Sequence, residues 1–358
     1  MIVTLRKELY RDFNLLHLRD KLRDIHGIKL SYESLRQILI KDGLHEPRRK
    51  RKVYRRRRRM PKAGMLVQMD SSQHRWIENI HEPWWLVAMI DDADGYVYAR
   101  FYPSDTTWAN IEVIKEYINL RGLFMALYVD KASHFKTTRH GGIHYQVFPE
   151  QEETQIQRAL KELNIEIIYA NSPQAKGKIE RLFGFFQDRL IKEMRLKGIK
   201  DYNEANRYLE GKFLPWYNSN YNISVESIYR DLSKSKDLDL IFTIRQQRKV
   251  NKDNTIKFKG KVYQLLPLNG IKSFSGKWVE VCEYKEGRIK VLFEGKEVFY
   301  LEVLDKGALR EEKGVLDKRE YFEKKEAEKE KWKPSKDHPW RKTIKFNKVK
   351  RCDILNWK

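Results

Sequence analysis

The chain has 358 residues, of which 41% are hydrophobic, and it carries 73 Lys and Arg against 50 Asp and Glu, a formal net charge of +23. No apolar stretch approaches the roughly 18 residues that a membrane helix needs, so no membrane association is expected. The two cysteines, Cys282 and Cys352, provide neither a disulfide framework nor a zinc spacing. A basic surface of this size is typical of proteins that bind a polyanion, and nucleic acid is the first candidate.

The first 46 residues are predicted to form a helical DNA-binding region. Apolar residues at helical spacing indicate one helix over residues 4–26, and Ser31 caps a second helix over Tyr32–Lys41. Two helices across a short glycine-containing link are typical of a helix-turn-helix, in which Arg36 and Gln37 would face the DNA. A plain helical hairpin with a solvated face explains the same pattern equally well.

Residues 47–62 are predicted to be an arginine-rich linker. Positions 48–62 hold eleven Lys and Arg and no acid, so the segment repels itself and is expected to be extended. Such a linker can lie along DNA phosphates, although a localisation signal has the same composition. The candidate DNA-binding residues in it are Arg55, Arg56, Arg57, Arg58 and Arg59.

Residues 63–225 alternate between apolar strands and amphipathic helices in the order β-β-β-α-β-α-β-α. Because the first strands follow one another directly and the later ones are separated by helices, we expect an α/β fold with a mixed sheet, antiparallel first and parallel later. The predicted strands cover 64–70, 84–90, 96–102, 123–129 and 165–169. The predicted helices begin at Asp105 or Thr106, at 153, near Pro173 and at 203.

The rest of the chain is predicted to contain a second, smaller module. Residues 226–255 are assigned to a linker with helical character. Between 256 and 306, short apolar runs are separated by glycine-containing turns, which predicts a small antiparallel β-barrel or sandwich. Residues 307–358 are predicted to form a charged helix and a basic tail.

Three acidic residues stand where a catalytic site could form. Asp70 and Asp130 end the first and fourth predicted strands, and Glu180 lies near the start of the helix after the fifth. Three carboxylates without a cysteine favour hard divalent cations, Mg²⁺ or Mn²⁺, and two such ions can support an in-line phosphoryl displacement. Taken alone, Glu180 is better explained as an ordinary acid facing the helix dipole.

Other candidate sites have weaker support. Asp91, Asp92 and Asp94 resemble a set of metal ligands, but they precede the glycine of a hairpin and are interpreted as turn formers. His134 lies close to Asp130 in sequence, yet the histidines around it fit no zinc spacing. No glycine-rich phosphate loop occurs, so no nucleotide cofactor is expected.

Three motifs together resemble a known family. They are Gln68-Met69-Asp70, Tyr128-Val129-Asp130 and Asn171-Ser172-Pro173-Gln174-Ala175-Lys176-Gly177-Lys178-Ile179-Glu180-Arg181. With these motifs, residues 60–225 resemble bacterial insertion-sequence DDE transposases with a retroviral-integrase-type catalytic core, most of all the ISNCY-type group. Each motif alone is unspecific, whereas the combination is specific.

The resemblance implies an RNase H-like core in which Asp70, Asp130 and Glu180 hold two Mg²⁺ ions. It implies cleavage at the ends of the element and attack of the freed 3′-OH on target DNA, carried out by a homo-oligomer. It also implies that the C-terminal β unit is an SH3-like module for DNA binding and assembly. The residues expected from this likeness to contact DNA near the scissile phosphate are Asn171, Gln174, Lys176 and Lys178.

Two features depart from the family pattern. The 49 residues between Asp130 and Glu180 exceed the spacing usual in integrases, because of a Gly- and His-rich insert at 136–155. Relatives carry a further helix-turn-helix upstream, which predicts a chain shortened at its N-terminus. Two alternatives therefore stay open: a truncated or repurposed DNA-binding protein without catalysis, and an RNase H-like nuclease that hydrolyses without joining. The expected location is the bacterial cytoplasm, in association with the nucleoid.

Overall fold

The computed structural model describes residues 1–46, 58–78, 80–130, 134–135, 153–170, 176–233, 236–267, 271–303 and 309–310. The chain divides into two compact units. The first comprises Met1–Ile244 with Tyr284–Glu286, and the second comprises Arg245–Glu283 with the described residues from Gly287 onward. None of the helices within these ranges is long and apolar enough to cross a membrane.

The N-terminal bundle, residues 1–46, consists of three helices. They are α1 (Ile2–Glu8), α2 (Leu15–Asp24) and α3 (Tyr32–Lys41). Their facing sides bury a small apolar core that includes Phe13, Leu18, Leu22, Leu35 and Leu39. The bundle therefore has a core of its own, as a helix-turn-helix or a helical hairpin requires.

The prediction of a single helix over residues 4–26 is wrong, because the chain turns between α1 and α2. Asn14 caps α2 by accepting a hydrogen bond from the backbone N–H of His17. The guanidinium of Arg6 donates to two carbonyls of the turn, both at 2.6 Å, so that these acceptors are satisfied. The second predicted helix begins where expected, with Ser31 as its cap.

A five-stranded mixed sheet forms the centre of the first unit. Its strands are β1 (Leu66–His74), β2 (Trp84–Asp91), β3 (Val97–Tyr102), β4 (Ala126–Val129) and β5 (Glu166–Tyr169). Their order is β3-β2-β1-β4-β5. The first three strands pair antiparallel, whereas β4 runs parallel to β1 and to β5. The α/β fold with a mixed sheet, antiparallel first and parallel later, is confirmed.

Helices cover the sheet and complete its core. They are α4 (Thr107–Arg121), α5 (Gln155–Glu162), α6 (Gly177–Leu196), α7 (Tyr202–Tyr208), α8 (Leu214–Tyr221) and the short α9 (Leu238–Ile241). Threonines cap α4 and α5 through their side chains. The helix predicted from residue 203 to 220 is interrupted by a π-helical turn, Leu209–Phe213, between α7 and α8.

The second unit contains two antiparallel sheets. Its strands are β6 (Ile244–Lys249), β7 (Thr255–Phe258), β8 (Lys261–Leu265), β9 (Trp278–Glu283), β10 (Ile289–Phe293), β11 (Lys296–Val298), β12 (Tyr300–Val303) and β13 (Leu309–Arg310). One sheet has the order β11-β10-β9-β6 and the other β13-β12-β8-β7, and both contribute to one apolar core. No closed barrel forms among the described strands, so the predicted barrel is wrong and its alternative, the sandwich, describes the unit.

The N-terminal bundle is joined to α6 by a buried cluster of charged side chains. Glu193 of α6 accepts from Nε2 of His17 at 2.8 Å and from the ammonium of Lys21 at 2.6 Å. One turn earlier, the guanidinium of Arg189 donates to Asp20 at 2.9 Å. Burial raises the pKa of Glu193, but the hydrogen bonds from His17 and Lys21 outweigh it and lower that pKa to about 2.

Replacing Glu193 by Gln should destabilise the fold, since it leaves charged partners buried without a counter-charge. We expect the free energy of unfolding at pH 7 to fall by about 3 kcal/mol. Because the pKa of Glu193 lies near 2 in the folded chain and 4.5 is its ordinary value, the ionised carboxylate stabilises the fold above pH 4.5. The difference between wild type and variant should shrink as the pH falls from 4.5 towards 2.

Urea denaturation between pH 7 and pH 3 measures this difference. The control is Glu226→Gln, since Glu226 forms an exposed ion pair with Lys62 and its removal should change stability by less than about 1 kcal/mol. A Glu193→Gln variant as stable as this control, or a difference that does not change down to pH 3, would show that the cluster does not stabilise the contact between bundle and helix.

Candidate active site

The parallel pairing of β1 with β4 positions the first two predicted acids. Gln68 of β1 lies opposite Tyr128 of β4. Asp70 and Asp130 each follow by two residues, and side chains two residues apart lie on the same face of a strand. The two carboxylates therefore emerge side by side at the same edge of the sheet, as the sequence predicted for neighbouring strand ends.

A lysine at the start of α6 lies between these two acids. The ammonium nitrogen of Lys176 is 3.0 Å from Oδ1 of Asp70 and 3.8 Å from Oδ2 of Asp130. Only 6% of the Lys176 side chain is exposed, against 25% for Asp70 and 51% for Asp130. Two carboxylates of neighbouring strands thus share one positive charge, and the site is more open to solvent on the side of Asp130.

The environment of Asp70 raises the pKa of its carboxyl above the ordinary value. Burial raises the pKa of Asp70 and Asp130 raises it further, whereas Lys176 and the backbone N–H of Ser71, which donates at 3.0 Å, lower it; the net direction is upwards. The positive charge of Lys176 therefore offsets only part of the cost of burying this carboxylate.

The third predicted acid is not gathered with the other two. Glu180 lies in the first turn of α6 and is exposed. Lys176, the N-cap residue of the same helix, precedes it by four residues and is buried. Within the part of the chain that the structure describes, no three His, Cys, Asp or Glu side chains are grouped closely enough to hold a metal ion.

Several predicted site residues lie outside the described ranges. The segment 171–175 contains Asn171 and Gln174, predicted to contact DNA, and Pro173, predicted to begin the helix; the helix itself begins at Gly177. Arg55, Arg56 and Arg57 of the linker are likewise not described. Their roles stay predictions.

Lys178, two residues after Lys176, is held in a different way. Its ammonium donates to the backbone carbonyls of Asp91 at 2.6 Å and Asp92 at 2.7 Å. Burial is the main reason that the pKa of Lys178 is lowered to about 8. Through these two hydrogen bonds Lys178 connects the start of α6 to the turn after β2. Its contact with DNA stays a prediction.

The acids of that turn are turn formers, as the sequence indicated. The carboxylate of Asp91 accepts from the backbone N–H of Ala93 at 2.7 Å and of Gly64 at 2.7 Å, and from the hydroxyl of Tyr229 at 2.8 Å. Asp94 accepts from the N–H of Tyr96 and forms an ion pair with Arg121. These carboxylates hold the backbone in place, which explains an acidic cluster without a metal.

Sequence reasoning missed Asp105, which supports the strand that carries Asp70. Asp105 accepts from the hydroxyl of Ser71 at 2.7 Å and from the side-chain amide of Asn110 at 2.6 Å. His134 lies near it, with Nε2 3.9 Å from the Asp105 carboxylate. The one signal in the sequence was the position of Asp105 just before α4, which suggested a helix cap; Thr106 is the cap instead.

Four of the described candidates for DNA contact are accessible from the surface. In α3, the guanidinium of Arg36 donates to Glu33 at 2.8 Å, and the amide of the exposed Gln37 is 3.5 Å from the same carboxylate. Arg58 and Arg59, at the end of the linker, are both exposed. All four are accessible to a ligand, which a DNA contact requires and does not by itself establish.

Comparison with known sequences identifies two related proteins. No family model matches the chain. A Sinorhizobium fredii protein named provisionally as a transposase, y4bF, is 35% identical over 309 residues, which cover 84% of this chain and 65% of that protein. The transposase for insertion sequence IS1202 of Streptococcus pneumoniae is 26% identical over 376 aligned residues, covering 92% of this chain and 76% of the relative. The chain thus spans about 65% of the length of the first relative.

Solved structures of low identity align with parts of the chain. The catalytic core domain of HTLV-2 integrase in complex with magnesium is 15% identical, covers 44% of this chain and 85% of that one, and gives a TM-score of 0.32. The simian T-cell lymphotropic virus intasome in complex with the PP2A regulatory subunit B56 gamma is 13% identical, covers 83% and 98%, and gives 0.36.

The fold of the first unit is defined by the order of strands in its sheet, β3-β2-β1-β4-β5. The sequence relationship to y4bF and to the IS1202 transposase extends over most of the chain. The chain is therefore similar in sequence, over most of its length, to two proteins that are named as transposases.

Proposed function

We propose that this chain is a DNA transposase that catalyses metal-dependent DNA strand cleavage and strand transfer. The observation that supports this best is the pair of carboxylates, Asp70 and Asp130, that two neighbouring parallel strands bring to one positive charge. A polynucleotidyl transferase needs an anionic site of this kind to hold cations against a phosphate.

The residues present fit a divalent metal. The donors are hard carboxylate oxygens, which suit Mg²⁺ or Mn²⁺, and the Lys176 ammonium already occupies the place of a cation between two of them. Asp70 and Asp130, together with Glu180, would hold two such ions. When bound, these ions would supply activation of the attacking oxygen and stabilisation of the leaving oxygen.

The protein's own groups would place the DNA. Lys176 is the N-cap residue of α6 and Glu180 lies in its first turn, and the exposed Arg58 and Arg59 lie near the end of the basic linker. Cationic side chains beside an acidic pair can hold a phosphate against the carboxylates without repulsion, which orients the scissile bond. Asn171 and Gln174 would complete this contact, and Arg36 and Gln37 of α3 would read or track the duplex.

The proposed partners are the element's own ends and a target DNA. Joining two ends to one target needs more than one active site, so we also propose a homo-oligomer, in which the second unit contributes to DNA binding and assembly. The described strands of that unit expose several lysines, a distribution suited to phosphate contacts.

Two other functions would leave the same basic surfaces. A DNA-binding protein without turnover would use the bundle and the linker but not the acidic pair. A nuclease would cleave with the acidic pair but would direct only water to the phosphate. The shared charge at Asp70 and Asp130 favours an enzyme over the first alternative, and joined products distinguish a transposase from the second.

A strand-transfer assay tests the proposed activity. We expect the protein to join an oligonucleotide of the element's own end to supercoiled plasmid in Mg²⁺ or Mn²⁺, and Asp130→Asn to lower the rate by at least about a hundredfold, since it removes a metal ligand. Joined products on a gel provide the measurement. Metal-dependent nicking without joining would indicate the nuclease, and binding without either product would indicate the DNA-binding protein.

The salt dependence of DNA binding tests the linker. Replacing Arg55–Arg59 with Gln should weaken binding similarly for all sequences and should flatten the plot of log affinity against log salt, by about 0.9 for each phosphate that is no longer bound. Fluorescence anisotropy with a labelled duplex measures both effects. An unchanged slope would mean that these arginines do not contact phosphates and that the run serves as a spacer or a localisation signal.

A further inference from the structure

We propose that Lys176 is an exchangeable resident cation: its ammonium holds Asp70 and Asp130 together in the metal-free chain, gives way to the entering divalent ion, and then binds a DNA phosphate. The proposal rests on the proposed function, because it concerns the same acidic pair. It assigns Lys176 a competing role towards the metal, which the sequence motif did not indicate.

The geometry around the ammonium supports the first step. Its nitrogen lies 3.0 Å from Asp70 and 3.8 Å from Asp130, so both carboxylates are within ion-pair distance of one charge. A divalent ion bound by both carboxylates would need this same space. Lys176 and the ion would therefore compete for the same position between the two carboxylates. Until an ion binds, the ammonium neutralises part of the charge of Asp70 and Asp130.

The charges indicate the direction of the exchange. Two carboxylates and one ammonium leave one negative charge, whereas two carboxylates and a divalent ion leave none. An ammonium that remained beside the ion would then gain no net attraction and would be repelled by the ion at short range. The half-exposed Asp130 marks the side on which the ion can enter, since the Lys176 side chain is buried.

Lys176 is also held in a way that permits release. It occupies the N-cap position of α6, and its side chain makes no capping hydrogen bond to the helix. Lys178 is held by two backbone carbonyls, neutral acceptors whose attraction a bound ion at Asp70 would not remove. The two lysines thus differ in function: Lys178 fixes the helix start, and Lys176 can exchange its partner once the carboxylates are taken.

A phosphate is the acceptor that this released charge fits. A bound ion would draw a DNA phosphate to the acidic pair, and the displaced ammonium stands at the same edge of the sheet. An ammonium binds phosphate as a point charge with three donors and needs no fixed geometry. Metal entry and phosphate binding would therefore be coupled through one side chain.

Calorimetric titration of Mn²⁺ into the DNA-free full chain tests the exchange. Lys176→Met should bind Mn²⁺ about tenfold more tightly than wild type, the change expected when a competing ion pair is removed. Lys176→Arg keeps the charge and should bind close to wild type. The matched control is Lys192→Met. Lys192 belongs to α6 and lies away from the site, and its ammonium pairs with Asp188 at 2.7 Å. This variant should bind Mn²⁺ with the affinity of wild type.

The outcomes separate this inference from the proposed function. Equal Mn²⁺ affinity in wild type and Lys176→Met, with no binding in Asp130→Asn, would overturn the exchange and leave the metal site standing. Absence of Mn²⁺ binding in all variants would overturn both. Circular dichroism and thermal melting without metal verify that each variant is folded, and Lys176→Met should melt lower without Mn²⁺ and gain more from it than wild type.

Anisotropy with a short duplex tests the second step. With Mn²⁺ present, the salt slope of Lys176→Met should be shallower than that of wild type by about one unit, because the variant binds one phosphate fewer. With EDTA present, the two slopes should agree, because Lys176 is then bound to the carboxylates. If the salt slope of Lys176→Met were shallower than that of wild type by the same amount in Mn²⁺ and in EDTA, Lys176 would bind DNA regardless of metal, and the coupling would be overturned.

Discussion

The parallel register between β1 and β4 is the constraint on which the rest of the site depends. Pairing Gln68 with Tyr128 places Asp70 and Asp130 next to each other. This pairing is made by backbone hydrogen bonds, and neither carboxylate takes part in them. The repulsion between two adjacent acids is therefore opposed by the sheet, which cannot shift by one residue without exposing its apolar core. Acids held together in this way attract a cation wherever one is available.

Helix α6 is the second element on which the site depends. Lys176 at its start lies on the acidic pair, and Lys178 is anchored to the turn after β2. Farther along, Glu193 is anchored to the N-terminal bundle through His17. A straight helix of this length is stiff, so the bundle and the site are connected by about 20 Å of rigid backbone between Glu180 and Glu193. A DNA segment held by the bundle would thus have a defined distance from the carboxylates.

Much of the first unit was predictable from the sequence, because its elements are determined by local signals. Apolar runs of strand length, a capping threonine or serine at several helix starts and turn-forming acids before Gly95 define their boundaries within a few residues. The turn between α1 and α2 was missed, because the apolar spacing continues through it and only Asn14 marks the new cap. The sequence left a barrel and a sandwich open for the second unit, because the spacing of short strands predicts their number and direction, whereas sheet closure depends on long-range pairing.

In the candidate site, too, the features set by local sequence signals were predictable and those set by tertiary contacts were not. The positions of Asp70 and Asp130 could be predicted from the strand ends alone. The position of the ammonium between them could not, because Lys176 is one of several basic residues in the segment 171–181. The partner of Lys176 is determined by tertiary structure, and so is the contrast with Lys178, two residues away.

The contrast between Lys176 and Lys178 has a physical consequence for the order of metal and DNA binding. A lysine bound to carbonyls gains nothing from leaving, while a lysine bound to carboxylates is displaced by any stronger cation. In the proposed exchange, the acidic pair would be neutralised in part by Lys176 without metal, and the lysine would be released when the ion binds. Loading of the ion and capture of the phosphate would then favour each other, because the ion takes the carboxylates from Lys176 and the freed ammonium pairs with the phosphate.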